Sequence, residues 1–173
     1  MSVYYDFDEV DAFTVGALGE PGGRTFFIQA RRGATRVTVK CEKQQASAIA
    51  DYLRRLLNDL PDPTEKPMPS AMELAGPVEA AFVLGPVGLG YDKGTDRVLL
   101  QLEEVVDLDE EGEPVVDDDE EEDDRGHLRV FLTRSQAAAY CEHADQVVAA
   151  GRPSCRWCNH PMNPDGHICP RMN

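Results

Sequence analysis

The sequence lacks the features of a membrane or exported protein. None of its apolar runs approaches the roughly 18 residues that a membrane-spanning helix needs, and its start, MSVYYDFDEVD, does not have the basic and then apolar character of a signal peptide. We therefore expect a cytoplasmic protein without a membrane partner. Cysteines are not present in the even number of a simple disulfide framework, since the chain has five in 173 residues. In a reducing compartment an odd number of cysteines is more typical of metal ligands and buried thiols than of a disulfide framework.

Basic residues are missing from one long segment. Residues 103–124 contain fifteen of the 32 acidic residues and no lysine or arginine. The rest of the chain has 17 acidic and 17 basic residues, so the net charge of −15 belongs to this segment. A dense block of like charges resists burial, and we expect a solvated insert. A neutral body does not favour nucleic acid as the partner.

Strand and helix patterns occur in the same order twice. In the first half, three strand-like segments at 12–19, 24–31 and 35–41 precede a helical pattern at 42–60. In the second half, three strand-like segments at 80–88, 96–105 and 128–132 precede a helical pattern at 135–150. A shift of 91 positions places the apolar residues of the first helix on those of the second. Thr133 or Ser135 can cap the second helix. The chain therefore has the pattern of a duplicated unit.

We predict an α+β fold in which two βββα repeats form a shared antiparallel sheet, with two helices on one face. One unit has too few elements to close a core, whereas two units packed about a pseudo-twofold axis could share one. The predicted first repeat is residues 1–60, followed by a Pro-rich linker at 61–77. The second repeat is residues 78–150 with the acidic insert, and a small C-terminal zinc knuckle spans residues 151–173.

Soft metal ligands concentrate at the end of the chain, in CRWCNHPMNPDGHIC. Cys155 and Cys158 have the C-x-x-C spacing with which one tight turn presents two sulfurs to one ion. Residues that favour chain reversal follow, and the chain returns with His167 and Cys169. On an extended return, positions i and i+2 project from the same face, so both could reach the ion. We predict a structural zinc ion held by Cys155, Cys158, His167 and Cys169.

Four alternatives to this assignment stay open. The tail could be a flexible Cys-rich segment that binds no metal. His160 could be the fourth ligand in place of His167, although it would have to fold back over the first turn. A redox C-x-x-C pair usually lies at a helix start after a strand, whereas this one follows residues 151–153 near the end of the chain. A catalytic zinc would need an open position and a base, and only Asp165 is near in sequence.

The meander ARRGATRVTVKCEKQQ, its partial repeat and the tail C-x-x-C…P-D-G-H-I-C-P-R together resemble an uncharacterised actinobacterial family of repeat-containing proteins of unknown function. The resemblance covers nearly the whole chain outside the acidic insert and the linker, and it implies no established activity. Family genes tend to lie near those of a histidine-phosphatase-like and a lipid-kinase-like protein, which implies a shared pathway. Members usually have glycine after the second tail cysteine, where this chain has Asn159, a residue that tolerates positive φ.

Three functional hypotheses follow. The first is a non-enzymatic binding or adaptor protein, whose zinc tail presents Trp157 to another protein. The second is an enzyme or small-ligand binding protein, with a phosphate compound as one candidate ligand, whose site lies at the seam between the repeats. Convergent titratable side chains at the seam would favour the second hypothesis, and a plain apolar groove or open strand edge the first. The third is nucleic-acid binding through Arg152, Arg156 and Arg171.

Overall fold

The computed structural model describes residues 3–107, 110–111, 125–151, 153–160, 162 and 166–172. The elements follow in the order β1 (Tyr4–Phe7), β2 (Ala12–Leu18), β3 (Thr25–Arg32), β4 (Thr35–Cys41), α1 (Lys43–Asn58), β5 (Phe82–Asp92), β6 (Arg97–Glu104), β7 (His127–Leu132) and α2 (Arg134–Ala149), with a short 3-10 helix at Pro69–Met72. The two predicted meanders and their helices are therefore present, with bounds close to those expected.

Both helices begin with a reciprocal cap. The N–H of Gln136 donates to Thr133 Oγ1 at 3.0 Å, and the N–H of Thr133 donates to Gln136 Oε1 at 3.0 Å. At the start of α1 the N–H of Glu42 donates to Gln45 Oε1 at 2.8 Å. Thr133, rather than Ser135, is thus the capping residue of α2. No helix of the described residues is long and apolar enough to cross a membrane.

The strands form one sheet in the order β1-β7-β6-β5-β4-β3-β2. The prediction of an antiparallel sheet is wrong at two places, because β4 and β5 are parallel, with Val39 opposite Phe82, and β1 and β7 are parallel, with Tyr4 opposite His127. The first parallel pair arises because the chain leaves β4, runs through α1 and returns along the sheet before entering β5, as a crossover between parallel neighbours requires. β1 was not predicted, and it extends the sheet beyond β7.

The connection between β1 and β2 shows that the sheet curls. These strands are the two edges of a seven-stranded sheet, yet only residues 8–11 join them. In a flat sheet the edges would lie about 29 Å apart, at roughly 4.8 Å for each strand spacing. The five steps from Phe7 to Ala12 reach no more than about 18 Å. The edges must therefore approach each other, and α2, which follows β7, packs against β2.

The two helices cover one face of the curled sheet and pack against each other. Their buried residues are Ala46, Ile49, Ala50 and Leu53 of α1 and Ala137, Tyr140, Cys141 and Ala144 of α2. The fully buried Tyr140 places its ring 5.4 Å from that of Phe13 on β2, and its hydroxyl donates to Ala46 O at 3.1 Å. The core thus joins both meanders and both helices.

A strap of residues 69–76 crosses the other face of β2, β3 and β4, within the segment predicted as a linker. Polar side chains of the sheet hold its backbone. Gln29 makes two of these bonds, because its Nε2 donates to Ala75 O at 3.0 Å and its Oε1 accepts from Ala75 N at 2.8 Å. Thr14, Arg31 and Arg36 donate to further carbonyls of the strap. The strap therefore covers a face whose buried polar side chains would otherwise lack partners.

The acidic segment connects β6 to β7. The strand ends are tied together, since Glu104 N donates to Gly126 O at 2.8 Å and Gly126 N donates to Glu104 Oε2 at 2.7 Å. Residues 108–109 and 112–124 lie outside the described residues. The prediction of a solvated insert at 103–124 therefore stays a prediction.

Candidate metal centre

The tail begins after α2 and turns tightly between its first two cysteines. Asn159 N donates to Cys155 O at 2.8 Å, and Cys155 N donates to His160 O at 2.8 Å. Asn159 has a φ of +60°, a left-handed conformation that asparagine tolerates. This turn brings Cys155 and Cys158 to one side of the loop.

Backbone N–H groups point at the sulfur of Cys155. Those of Cys158 and Trp157 lower the pKa of the Cys155 thiol, since both stabilise the thiolate. Trp157 N lies 3.4 Å from Cys155 Sγ. A thiolate is the form that binds a metal, so the turn prepares this sulfur for coordination.

The second pair of candidate ligands lies in the segment 166–169, after the turn of the tail. Gly166 has a φ of +92°, and His167 and Cys169 follow it. The three sulfurs and one imidazole nitrogen of Cys155, Cys158, His167 and Cys169 all lie within 4.8 Å of one another. The structure thus brings together the four side chains that the sequence singled out, in a cluster that could hold a metal ion.

The spacing within the cluster suits a tetrahedral ion. Cys155 Sγ and Cys169 Sγ are 3.9 Å apart, and Cys158 Sγ and His167 Nε2 are 3.3 Å apart. With metal–sulfur bonds of about 2.3 Å, two sulfurs of a tetrahedron lie ~3.8 Å apart. A disulfide needs a sulfur–sulfur distance near ~2.05 Å, and all five cysteines are free. Cys155 and Cys169 are buried, whereas Cys158 and His167 are partly exposed.

His160, the competing ligand, lies outside this cluster. Its side chain is exposed, and its carbonyl accepts the hydrogen bond from Cys155 N. Its part in the tail is therefore through the backbone of the first turn. Asp165, the only carboxylate close in sequence, lies outside the described residues, as does Arg152 of the three arginines considered for nucleic-acid binding.

The other two cysteines are core residues. Cys41 ends β4 and Cys141 lies on the buried face of α2, as predicted from their positions. Burial raises the pKa of Cys41 to about 12 and that of Cys141 to about 11. Both are therefore protonated and apolar in character at neutral pH.

The tail also carries exposed apolar side chains. Trp157 is 56% exposed, Ile168 87% and Met172 69%. Trp157 lies between the first two cysteines of the cluster, and Ile168 lies between His167 and Cys169. Any ion that fixes the cluster also fixes the backbone that presents these side chains.

A second candidate site has lining residues that the sequence does not identify, although a site at the seam between the repeats is one of its hypotheses. A cavity of about 670 Å³ lies where β2, β3, the residues before the strap and the start of α2 meet. Its lining includes charged side chains of both signs, with Asp11, Arg31, Glu65 and Lys66 among them. The contact of segments so distant in sequence creates this cavity, so local patterns carry no sign of it.

The fold and site define a class: an α+β body with a C-terminal Cys/His cluster that could hold a metal. The model of the family described as "Protein of unknown function (DUF3090)" matches residues 5–169, and the chain belongs to this family. The match includes the body and the four candidate ligands. No curated protein and no solved structure matches the chain.

Proposed function

We propose that the cluster holds a zinc ion with a structural role. Thiolate and imidazole ligands suit zinc, and three cysteines with one histidine form one of its common structural ligand sets. If Cys155, Cys158, His167 and Cys169 each supply one ligand atom, the coordination of the ion is complete and leaves no position for water or substrate. The ion would fix a tail whose described residues make few backbone hydrogen bonds with one another.

We further propose that the two halves of the body are a duplication. Every buried position of α1 has a buried counterpart 91 residues later in α2, as between Ala46 and Ala137. Arg54 and Asp145, which are also 91 positions apart, form an ion pair between the helices. Each helix follows the third strand of its meander and has glutamine at its third position. Such correspondence is expected if equivalent faces of two related units pack together.

The function that the site supports best is non-enzymatic binding of another protein through the tail. The observation that carries this proposal is the exposure of Trp157 and Ile168 on the loop that the four candidate ligands close, with the exposed Met172 just after it. A large aromatic side chain held rigidly at a surface is a common anchor of protein interfaces. A metal-fixed loop loses little conformational entropy on binding, which favours affinity.

The test is affinity capture from the host lysate with the wild-type protein and two variants. Trp157→Ala removes the anchor without touching a metal ligand. Tyr52→Ala is the matched control, because Tyr52 is an aromatic residue of α1 with a similar exposure, 52%. We expect one protein to be captured by the wild type and by Tyr52→Ala and lost with Trp157→Ala. Equal capture by all three would contradict a role of the tail in binding.

The cavity of about 670 Å³ favours a second candidate function, binding of a small ligand between the two halves. Its volume is within the usual range for small-molecule sites, and charged groups of both signs converge on it. Ser135 lies on its wall at the start of α2, so Ser135→Phe should fill part of it. A small molecule that co-purifies with the wild type and is lost from Ser135→Phe would support this function. A wild-type protein that carries no ligand would argue against it.

A further inference from the structure

A different cavity, of about 430 Å³, lies at the opposite end of β3 and β4 from their shared turn. It is bounded by the start of β3, the end of β4, the first residue of α1 and Gly151 at the start of the tail. The lining residues are Gly22, Arg24, Thr25, Phe26, Lys40, Cys41, Glu42, Lys43 and Gly151. We refer to it as the Arg24 cavity.

The Arg24 cavity is positively charged. Its lining contains the three cations Arg24, Lys40 and Lys43 against the single carboxylate of Glu42. Among the ion pairs of the described residues, none involves Lys40 or Lys43. The rest of the protein is neutral or acidic, so this local excess of positive charge is not a consequence of overall composition. Walls of low dielectric concentrate such a field inside a cavity.

Arg24 is held in place before any ligand arrives. Its Nη1 donates to Val147 O near the end of α2 at 2.8 Å, and its guanidinium lies 4.9 Å from the centre of the Phe26 ring. Gly151 leaves room for it, because a Cβ at that position would lie 2.9 Å from Arg24 Nη2. A fixed guanidinium costs less entropy when it binds an anion than a mobile one. The two exposed lysines can then close on the ligand as flexible point charges.

We propose that the Arg24 cavity binds a small molecule through a phosphate group. Arg24, Lys40 and Lys43 are the cationic residues of the lining, and a phosphate dianion matches their charge better than a single carboxylate does. The volume is at the lower end of the range for small-molecule sites, which favours a compact phosphorylated compound over a peptide. The proposal is independent of the metal centre and of protein binding by the tail.

The test follows backbone amide signals of the full-length, metal-loaded protein by NMR during titration with inorganic phosphate and pyrophosphate at constant ionic strength. We expect saturable shifts at residues 22–26, 40–43 and 151, with pyrophosphate binding more tightly. The double variant Lys40→Ala/Lys43→Ala should weaken pyrophosphate binding at least about tenfold, the equivalent of ~1.4 kcal/mol. Because both lysines are exposed, this variant should keep the fold, which circular dichroism checks.

Lys93→Ala is the matched control, since Lys93 is an exposed lysine in the turn between β5 and β6. It should leave pyrophosphate binding unchanged. Shifts that do not saturate, or that are the same in the wild type and the double variant, would overturn the proposal. Tighter binding of hexaglutamate than of pyrophosphate at the same ionic strength would also overturn it, since an acidic peptide would then be the better ligand.

Discussion

The sulfur of Cys155 lies 3.9 Å from the sulfur of Cys169, across fourteen residues of chain. This separation is much too long for a disulfide and close to the edge of a tetrahedron around zinc. Cys158 and His167 belong to the same cluster, whose ligand atoms all lie within 4.8 Å of one another and could hold a metal ion. Trp157 lies between the first two candidate ligands, and Ile168 lies between the last two. The position of these exposed side chains would therefore depend on metal binding.

Thiol reactivity should divide the cysteines into two groups. In the metal-loaded protein at pH 8 we expect no cysteine to react rapidly with a disulfide reagent. After chelation Cys155, Cys158 and Cys169 should react, whereas Cys41 and Cys141 should stay protected, since burial raises the pKa of each thiol. The measurement is the count of titrated thiols before chelation, after chelation and in urea. Fewer than three newly reactive thiols on chelation would contradict the ligand assignment.

The two histidines of the tail should differ in their effect on zinc. His167→Ala removes a ligand and should lower zinc affinity by more than roughly tenfold. The loss of a residue that only supports a ligand already lowers metal affinity by about tenfold or more. His160→Ala should keep the affinity, since the exposed side chain of His160 lies outside the cluster and its carbonyl accepts the bond from Cys155 N. Competition with a chromogenic chelator measures both. The reverse order of effects would make His160 the ligand.

The strap should be coupled to β2 through Gly16. A Cβ at this position would lie 2.5 Å from Leu74 Cγ, so Gly16→Ala should destabilise the protein by about 1–3 kcal/mol. Leu74→Ala should relieve this contact. In urea unfolding, the double variant should therefore lose less stability than the sum of the single variants. Additive losses would show that the strap does not pack on Gly16.

The hydroxyl of Tyr140 should contribute to stability. It donates to Ala46 O across the helix pair, so Tyr140→Phe should cost about 1 kcal/mol of unfolding free energy. Tyr52→Phe is the control on the exposed side of α1, and its effect should stay within about 0.5 kcal/mol. Urea unfolding measures both variants, and equal effects would contradict the role of this bond.

Stability should fall as the pH drops below about 6.5, the ordinary pKa of histidine. Burial lowers the pKa of His143 in the folded protein, against an opposing hydrogen bond with the backbone of Val15. The unfolded chain therefore takes up a proton at a higher pH than the folded one. The contribution of neutral His143 to the stability of the folded protein is complete only above about pH 6.5. Urea midpoints at pH 7 and pH 5.5 with chelator present should differ less for His143→Gln than for the wild type. His160→Gln, at an exposed site, should behave as the wild type.

The sequence predicts those parts of the molecule that depend on local patterns. The apolar stripes of α1 and α2 and the alternation within the strands follow from side-chain periodicity, and C-x-x-C followed by a turn points to the metal ligands. The parallel pairing of β4 with β5 depends on how the chain returns after α1, which no local pattern records. The strap lies within residues 61–77, whose many prolines are typical of a linker. One signal for it was present: Gln29, a polar residue in the middle of the apolar strand TFFIQAR, needs a buried partner, and the strap supplies it.

The central claim is that the four side chains of the tail bind one zinc ion, and a native mass spectrum of the full chain, purified without chelator, tests it most directly. We predict one zinc for each chain in the wild type, with the mass expected for three deprotonated cysteines, and loss of the ion from Cys158→Ser. A metal-free wild-type protein, or an unchanged zinc content in Cys158→Ser, would contradict the account.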